Sequence, residues 1–401
     1  MKKLILLLLV VLLVGCNKNV SSNNPNESGE KQTTGFGLGA PDAKLEDLNP
    51  PHIFSMQKKS EIGFENITSE ESLPQPRVKK DGKLLVGWLV EELTFESFNR
   101  VLHHGKIEMK HRGWDWIEVT DAREVDKQRD AIANFINKNV DAIVINYAQM
   151  EPIGDLIIDA RKKGIGVYCI DNSLAPGVVC TSTMYNGVAG ARMFYYGAEK
   201  LNYRGNVLLM NEARPCIYQE RLYSAEGLMK LFPQMKLISH VGCKNMEEWF
   251  TKGADYVTKY KDRIDWLFGY ADIEILQAVR AFEQAGLTRK DVFATGMDGG
   301  VQIYDILRED KSIFIATLSQ PFEAYCHSIY EVIDQIQVKG IGIGDPKSIV
   351  PMGRGIYHNP VVTTKGTVPP KGSVIHEVFI DGYYNPEVKT AWYFWGDPYK
   401  I

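Results

Sequence analysis

The sequence predicts an α/β protein whose parallel sheets form two lobes. Three observations predict it. From Asp121 to Asn172, segments with helical periodicity alternate with two short apolar runs, Asp141-Ala-Ile-Val-Ile-Asn146 and Gly166-Val-Tyr-Cys-Ile-Asp171. Strand, helix, strand at this spacing requires crossover connections between parallel strands. The alternation begins again at Asn206 and continues to Val338. The chain of 401 residues is long enough for two domains of ordinary size, so the two sets of units are expected to fold as two lobes.

The elements follow in order. Leu84–Val90 is an apolar run and the first strand of the folded region; a helix is expected from Glu96 to Arg112 and a strand from Trp114 to Val119. Ile132, Phe135, Ile136 and Val140 then fall at three- and four-residue spacings, one face of a helix. Ile153, Leu156, Ile157 and Ala160 repeat that spacing, and Lys162-Lys163-Gly164 supplies a basic last turn and a glycine stop. A Pro-Gly turn at 176–177 leads to a strand over Val178–Thr183, and Asn186 is expected to cap the next helix, where Gly187 and Gly190 allow close packing on a sheet. Strands follow at Asn206–Met210, Lys236–Val241, Trp266–Tyr270, Val292–Met297 and Phe314–Thr317. Helices are expected from Tyr218 through Leu231, over Trp249–Tyr260, after Asp272 as its N-cap, and over Glu323–Val338. From Ile349 the chain is rich in Pro, Gly and aromatics, a composition that packs against a domain surface.

Hydrophobic content of 44% and charged content of 24% are those of a globular protein, and a formal net charge of −4 supplies no basic field for nucleic acid. Met1-Lys2-Lys3 is a basic start, and Leu4–Val14 is an apolar stretch too short to span a bilayer comfortably. It ends in Leu13-Val14-Gly15-Cys16, which resembles the lipobox of bacterial lipoproteins. Residues 1–15 are therefore expected to be a signal peptide, with Cys16 lipidated and holding the protein on a membrane. Residues 16–80 are expected to be a tether and N-terminal extension, since prolines at 50, 51, 74 and 76 argue against a regular element. Beyond Cys16 the cysteines are Cys169, Cys180, Cys216, Cys243 and Cys326; none shows the C-x-x-C spacing of a zinc site, and no disulfide framework is expected. No Gly-x-Ser-x-Gly elbow, His-Glu-x-x-His site or phosphate loop is present, so an enzyme is not expected.

The quoted segments carry a resemblance. Val140-Asp-Ala-Ile-Val-Ile with Asp171, then Asn186 with Ala189-Gly190, Glu220-Arg221, Phe268 with Asp272, Thr295-Gly-Met-Asp298 and Ala316-Thr-Leu-Ser-Gln320 occur in the order found in periplasmic binding proteins of type 1. From about Lys83 to Lys347 the chain resembles the ribose/galactose-type members, the sugar-receiving lipoproteins of ABC transporters. The resemblance implies two Rossmann-like lobes with parallel sheets joined by a three-segment hinge, residues 83–183 plus 321–347 forming one lobe and 184–320 plus 348–401 the other. It implies a monomer that closes on a monosaccharide-like ligand and delivers it to an ABC permease, with no cofactor, metal or nucleic acid. A ligand-sensing receptor of the same fold, docking a membrane sensor, is the alternative.

A polyhydroxylated ligand needs carboxylates and carboxamides, an arginine and aromatic planes. Asp171, Arg221, Asp298 and Gln320 match ligand positions of the family, and Asn172 adjoins Asp171 at a strand end, where an Asx turn before Pro176 is the other reading. Phe95 follows the first strand where the family places a stacking aromatic, Glu91 or Glu92 reaches the pocket, and Trp249 is a second platform. Ala271 stands where the family has Asn, which removes one polar contact and leaves the sugar's identity open.

Overall fold

The computed structural model describes residues 73–348, apart from 215, 261 and 262, and residues 355–371, apart from 370. The expected signal peptide, Cys16, most of the N-terminal extension and the tail aromatics beyond 371 lie outside the described residues. In chain order the elements are β1 (Leu85–Val90), α1 (Glu96–Arg112), β2 (Asp115–Val119), α2 (Val125–Asn137), β3 (Ala142–Asn146), α3 (Gly154–Lys162), β4 (Gly166–Ile170) and β5 (Cys180–Met184). There follow α4 (Asn186–Lys200), β6 (Gly205–Glu212), α5 (Gln219–Met229), β7 (Met235–Cys243), α6 (Met246–Tyr260), β8 (Trp266–Gly269) and α7 (Asp272–Gln284). The remainder is β9 (Phe293–Asp298), α8 (Val301–Glu309), β10 (Phe314–Ser319), α9 (Phe322–Ile333), β11 (Gly355–His358) and β12 (Val361–Thr364).

The strands form two six-stranded sheets, ordered β11-β5-β4-β3-β1-β2 and β12-β10-β9-β8-β6-β7. All pairings are parallel except β10 with β12. Central strands such as β3 and β4 are buried along their whole length, because helices cover both faces of a parallel sheet. In each sheet the order reverses beside the first strand, at β1 and at β6. Ligands of open α/β sheets bind outside the carboxyl ends of the strands at such reversals.

The chain passes from the first sheet to the second at Tyr185, returns at Gln320–Pro321, and crosses again at Asn359–Pro360. The last crossing corrects the expectation that everything after 347 belongs with the second lobe. Gly355–His358 pairs with β5, which would otherwise be a bare sheet edge, and His358 Nε2 lies 3.0 Å from Ser182 Oγ. Tyr185 and Tyr357 stack with centroids 3.8 Å apart beside the crossings. Other contacts bridge the sheets: Glu96 Oε1 accepts from the Val301 N–H at the start of α8 (2.9 Å), and Arg100 donates to the Gly299 carbonyl (3.1 Å) while bonding both oxygens of Glu323.

Several local expectations change. Asn186 does not cap α4; its Oδ1 accepts from Arg221 Nε at 2.8 Å, and Tyr185 takes the cap position. Asp272 likewise lies inside α7, accepting from the Gly299 N–H and the Thr317 hydroxyl, each at 2.7 Å. The helix expected to Val338 is α-helical to Ile333 and closes in a π turn over Asp334–Val338. The thiols of Cys169, Cys180, Cys216, Cys243 and Cys326 are all free.

Gly190 serves helix–helix rather than helix–sheet contact. A Cβ there would run into the Arg221 carbonyl on α5. Gly190→Ala is therefore expected to lower stability by about 1–3 kcal/mol through forced displacement of α5. Urea unfolding measures it; an unchanged midpoint would show that the helices part without penalty.

Candidate functional site

The carboxyl ends of the two sheets face one another across a cavity of about 570 Å³. Its walls come from residues that end strands: Glu91 after β1, Tyr147 after β3, Asp171 after β4, Glu212 closing β6, Tyr270 after β8 and Asp298 closing β9. Three of these hold positive backbone φ without being glycine: Tyr147 (59°), Asp171 (50°) and Asp298 (127°). Such conformations cost energy and persist where surrounding structure enforces them, and here they turn a side chain off a strand end into the cavity.

An aromatic run crosses between the lobes. Phe98 stacks on Tyr147 (6.1 Å), Tyr147 on Tyr218 (5.2 Å), Tyr218 lies tilted to Tyr270 (6.2 Å), and Tyr270 stacks on Trp249 (5.7 Å). Phe98 and Tyr147 belong to the first sheet's units and the other rings to the second's. Two guanidinium groups lie on this run, Arg214 over Tyr147 (5.2 Å) and Arg221 over Tyr218 (4.4 Å), where cation–π attraction adds to packing.

Charged pairs connect the same walls. Arg214 bonds Glu91 of the opposite lobe and Glu212 Oε1 (3.0 Å); Arg123 bonds Glu92 and lies 3.6 Å from Glu212. Arg221 is buried, donating to Asn186, to the Tyr270 carbonyl (2.6 Å) and to Asp298 Oδ1 (3.2 Å). Asp171 accepts from Thr183 Oγ1 (2.8 Å) and, across the lobes, from Tyr218 Oη (3.0 Å). Tyr270 Oη donates to Glu274 Oε1 at 2.9 Å and lies 3.4 Å from Glu212 Oε2.

Burial dominates the titration of Glu91, Glu274, Asp298 and Asp171. It pushes Glu91 up to about 7 against the opposing charge of Arg214, and Glu274 up to about 8 with Asp298 as a second cause. Asp298 is pushed up to about 6, burial outweighing Arg221, and Asp171 is raised for the same reason. A cavity with this lining accepts hydrogen bonds from hydroxyl or amine donors and packs an apolar face on its rings.

Of the residues singled out from sequence, Glu91, Phe95, Asp171, Arg221, Trp249 and Asp298 line the cavity. Gln320 stands behind it, donating to Asp298 Oδ1 (2.5 Å) and accepting from Tyr325 Oη (3.1 Å). Asn172 turns away. Its amide donates to the Ala148 carbonyl (3.3 Å) and its Oδ1 accepts from the Ser173 N–H (2.8 Å), the local turn chemistry of asparagine. Sequence reasoning missed Tyr147, Glu212, Arg214, Tyr218, Tyr270 and Glu274. Tyr147 and Tyr270 were within reach of the strand-end rule that found Asp171, since each is the first residue beyond its strand.

Residues 108–339 match the family model described as a periplasmic binding protein domain. A xylitol-binding protein of Mycolicibacterium smegmatis is 25% identical over 235 residues, 57% of this chain and 65% of that protein. The chain thus spans slightly less than two thirds of that relative's length. An ABC transporter solute-binding protein from Agrobacterium vitis with bound allitol superposes with TM-score 0.64 at 20% identity, covering 72% of this chain and 97% of that one. A counterpart from Bacillus halodurans with bound myo-inositol gives 0.63 at 18% identity, covering 72% and 96%. These structural likenesses show a shared fold of two parallel-sheet lobes. Among the described residues no helix is long and apolar enough to cross a membrane.

The raised acids predict a pH dependence. An acid held above its ordinary value of 4.5 takes up a proton on folding, so its contribution is full below 4.5 and is lost as pH rises through about 7 for Glu91 and about 8 for Glu274. Stability to urea is expected to fall between about pH 5 and about pH 8, and Glu274→Gln to flatten that fall. Stability rising across the window would contradict the assignment.

Proposed function

We propose that this chain, which belongs to the periplasmic binding protein family, is the extracytoplasmic receptor of an ABC importer for a monosaccharide- or polyol-like solute. Binding proteins of this family are transport components rather than enzymes. The observation that carries the reading is the interlobe cavity, where carboxylates and arginines from both sets of strand ends surround a continuous aromatic wall. A solute of this class offers hydroxyl donors to Asp171, Asp298 and Glu91 and an apolar ring or chain face to Phe95, Tyr270 and Trp249. The cavity's size is in the range of small-molecule sites, roughly 300–1,000 Å³.

In this reading residues 73–184 and 321–348 with β11 move as one lobe, and the described residues of 186–319 with β12 as the other. The crossings at Tyr185, Gln320–Pro321 and Asn359–Pro360 act as the hinge, and Arg214–Glu91, Tyr218–Asp171 and Glu96–Val301 form on closure. The protein works as a monomer, lipidated at Cys16 and tethered to the membrane beside its permease.

Two measurements test this. Calorimetry against ribose, xylose, xylitol, allitol and myo-inositol is expected to give saturable heat with at least one, accompanied by a smaller radius of gyration in X-ray scattering; silence across the panel would count heavily against the reading. In a native bacterial host, Cys16→Ser is expected to move the protein from the membrane fraction to the soluble one, and retention on the membrane would remove the lipid anchor from the account.

A further inference from the structure

Glu274 is an acid of the cavity wall that burial keeps largely protonated until a cation sits beside it. Of the other acids on the cavity wall, Glu91 and Glu212 bond Arg214 and Asp298 bonds Arg221, while Asp171 accepts from the Thr183 and Tyr218 hydroxyls. Glu274 is buried at the start of α7, lines the cavity, and accepts from Tyr270 Oη. Among the described residues no cation is paired with it. That same phenol lies 3.4 Å from Glu212 Oε2, so two carboxyl groups flank one hydroxyl, which has one proton to give. The face beside them is aromatic, with Trp249 stacked on Tyr270 at 5.7 Å. A hydroxyl from a sugar would add one donor but no charge. A protonated amine has three donors, no acceptor and a positive charge, and it is favoured both between carboxylates and over an indole or phenol face.

We infer that the solute carries a protonated amine seated between Glu274 and Glu212 against the Trp249–Tyr270 pair, which makes the substrate class amino sugars or amino polyols. This rests on the solute-binding reading above and narrows it. It also has a proton signature. Glu274, held up to about 8 first by burial and then by Asp298, with Glu212 and the Tyr270 hydroxyl also facing it, is largely protonated at neutral pH in the empty cavity. An ammonium arriving beside it stabilises the carboxylate, so binding expels that proton to the buffer.

The test is calorimetry at about pH 7 with matched ligands, each run in phosphate and in Tris. One set is D-galactose, D-galactosamine and N-acetyl-D-galactosamine; the other is D-glucitol and 1-amino-1-deoxy-D-glucitol. The expected result is that an amine binds about tenfold or more tightly than its neutral and acetylated counterparts. Its apparent enthalpy should differ between the buffers in the sense of proton release, and Glu274→Gln should collapse the preference. The buffer comparison is made on the unmodified protein, so it stands even where the variant fails to fold. Neutral members binding as tightly as the amines, without buffer dependence, would overturn the amine inference and leave the solute-binding reading standing. Binding by no member of either set would count against both.

Discussion

The site depends on one buried cation. Arg221 lies inside the second lobe with its guanidinium shared among Asn186 at the start of α4, the Tyr270 carbonyl beyond β8 and Asp298 at the end of β9. Burying a guanidinium is unfavourable unless its donors are met and its charge is matched. Each of those partners is a separate piece of chain, so satisfying Arg221 fixes their relative positions. The constraint reaches a crossing between the sheets as well, because Asp298 is also held by Gln320 at the second crossing. The close approach of α4 and α5 at Gly190 brings Asn186 within reach of Arg221. Sequence, helix packing and cavity chemistry are thus joined through one side chain.

Around that point the two lobes meet through contacts of different kinds. The aromatic run from Phe98 to Trp249 supplies area with little directional demand, and its offset rings lie at separations favourable for aromatic pairs. The charged pairs supply direction. Arg214 reaches Glu91 across the gap, and Tyr218 reaches Asp171. A solute entering such a cavity exchanges its hydration for acceptors and ring faces already in place, and acceptors left unmatched penalise a wrong solute.

Much of this was legible in the sequence because parallel sheets announce themselves. Apolar runs separated by helical periodicity gave the strands, and Asp171 closes one of them, where a cavity must be, while Asp298 came from the family resemblance. The rule failed where local chemistry competes. Asn172 and Asp171 are adjacent, yet the carboxamide satisfies its own loop while the aspartate, at positive φ, faces the opposite lobe. Asn186 and Asp272 looked like helix caps because their residue types suit caps, but each binds a distant partner that periodicity does not reveal. Arg214 and Tyr218 sit between β6 and α5, and their directions are set by the opposite lobe, which no local pattern encodes. The crossing after β11 was invisible for a related reason: a short strand in a Pro- and Gly-rich tail gains its identity only from the open edge of β5.

The most direct test of the central claim is a crystal structure determined with the tightest-binding solute from calorimetry. The account predicts the solute in the interlobe cavity, hydrogen-bonded to Asp298 and Asp171, packed on Tyr270 and Trp249, with Arg221 still held by Asn186. A solute bound elsewhere, or a cavity closed by its own aromatic rings with no room for one, would contradict it.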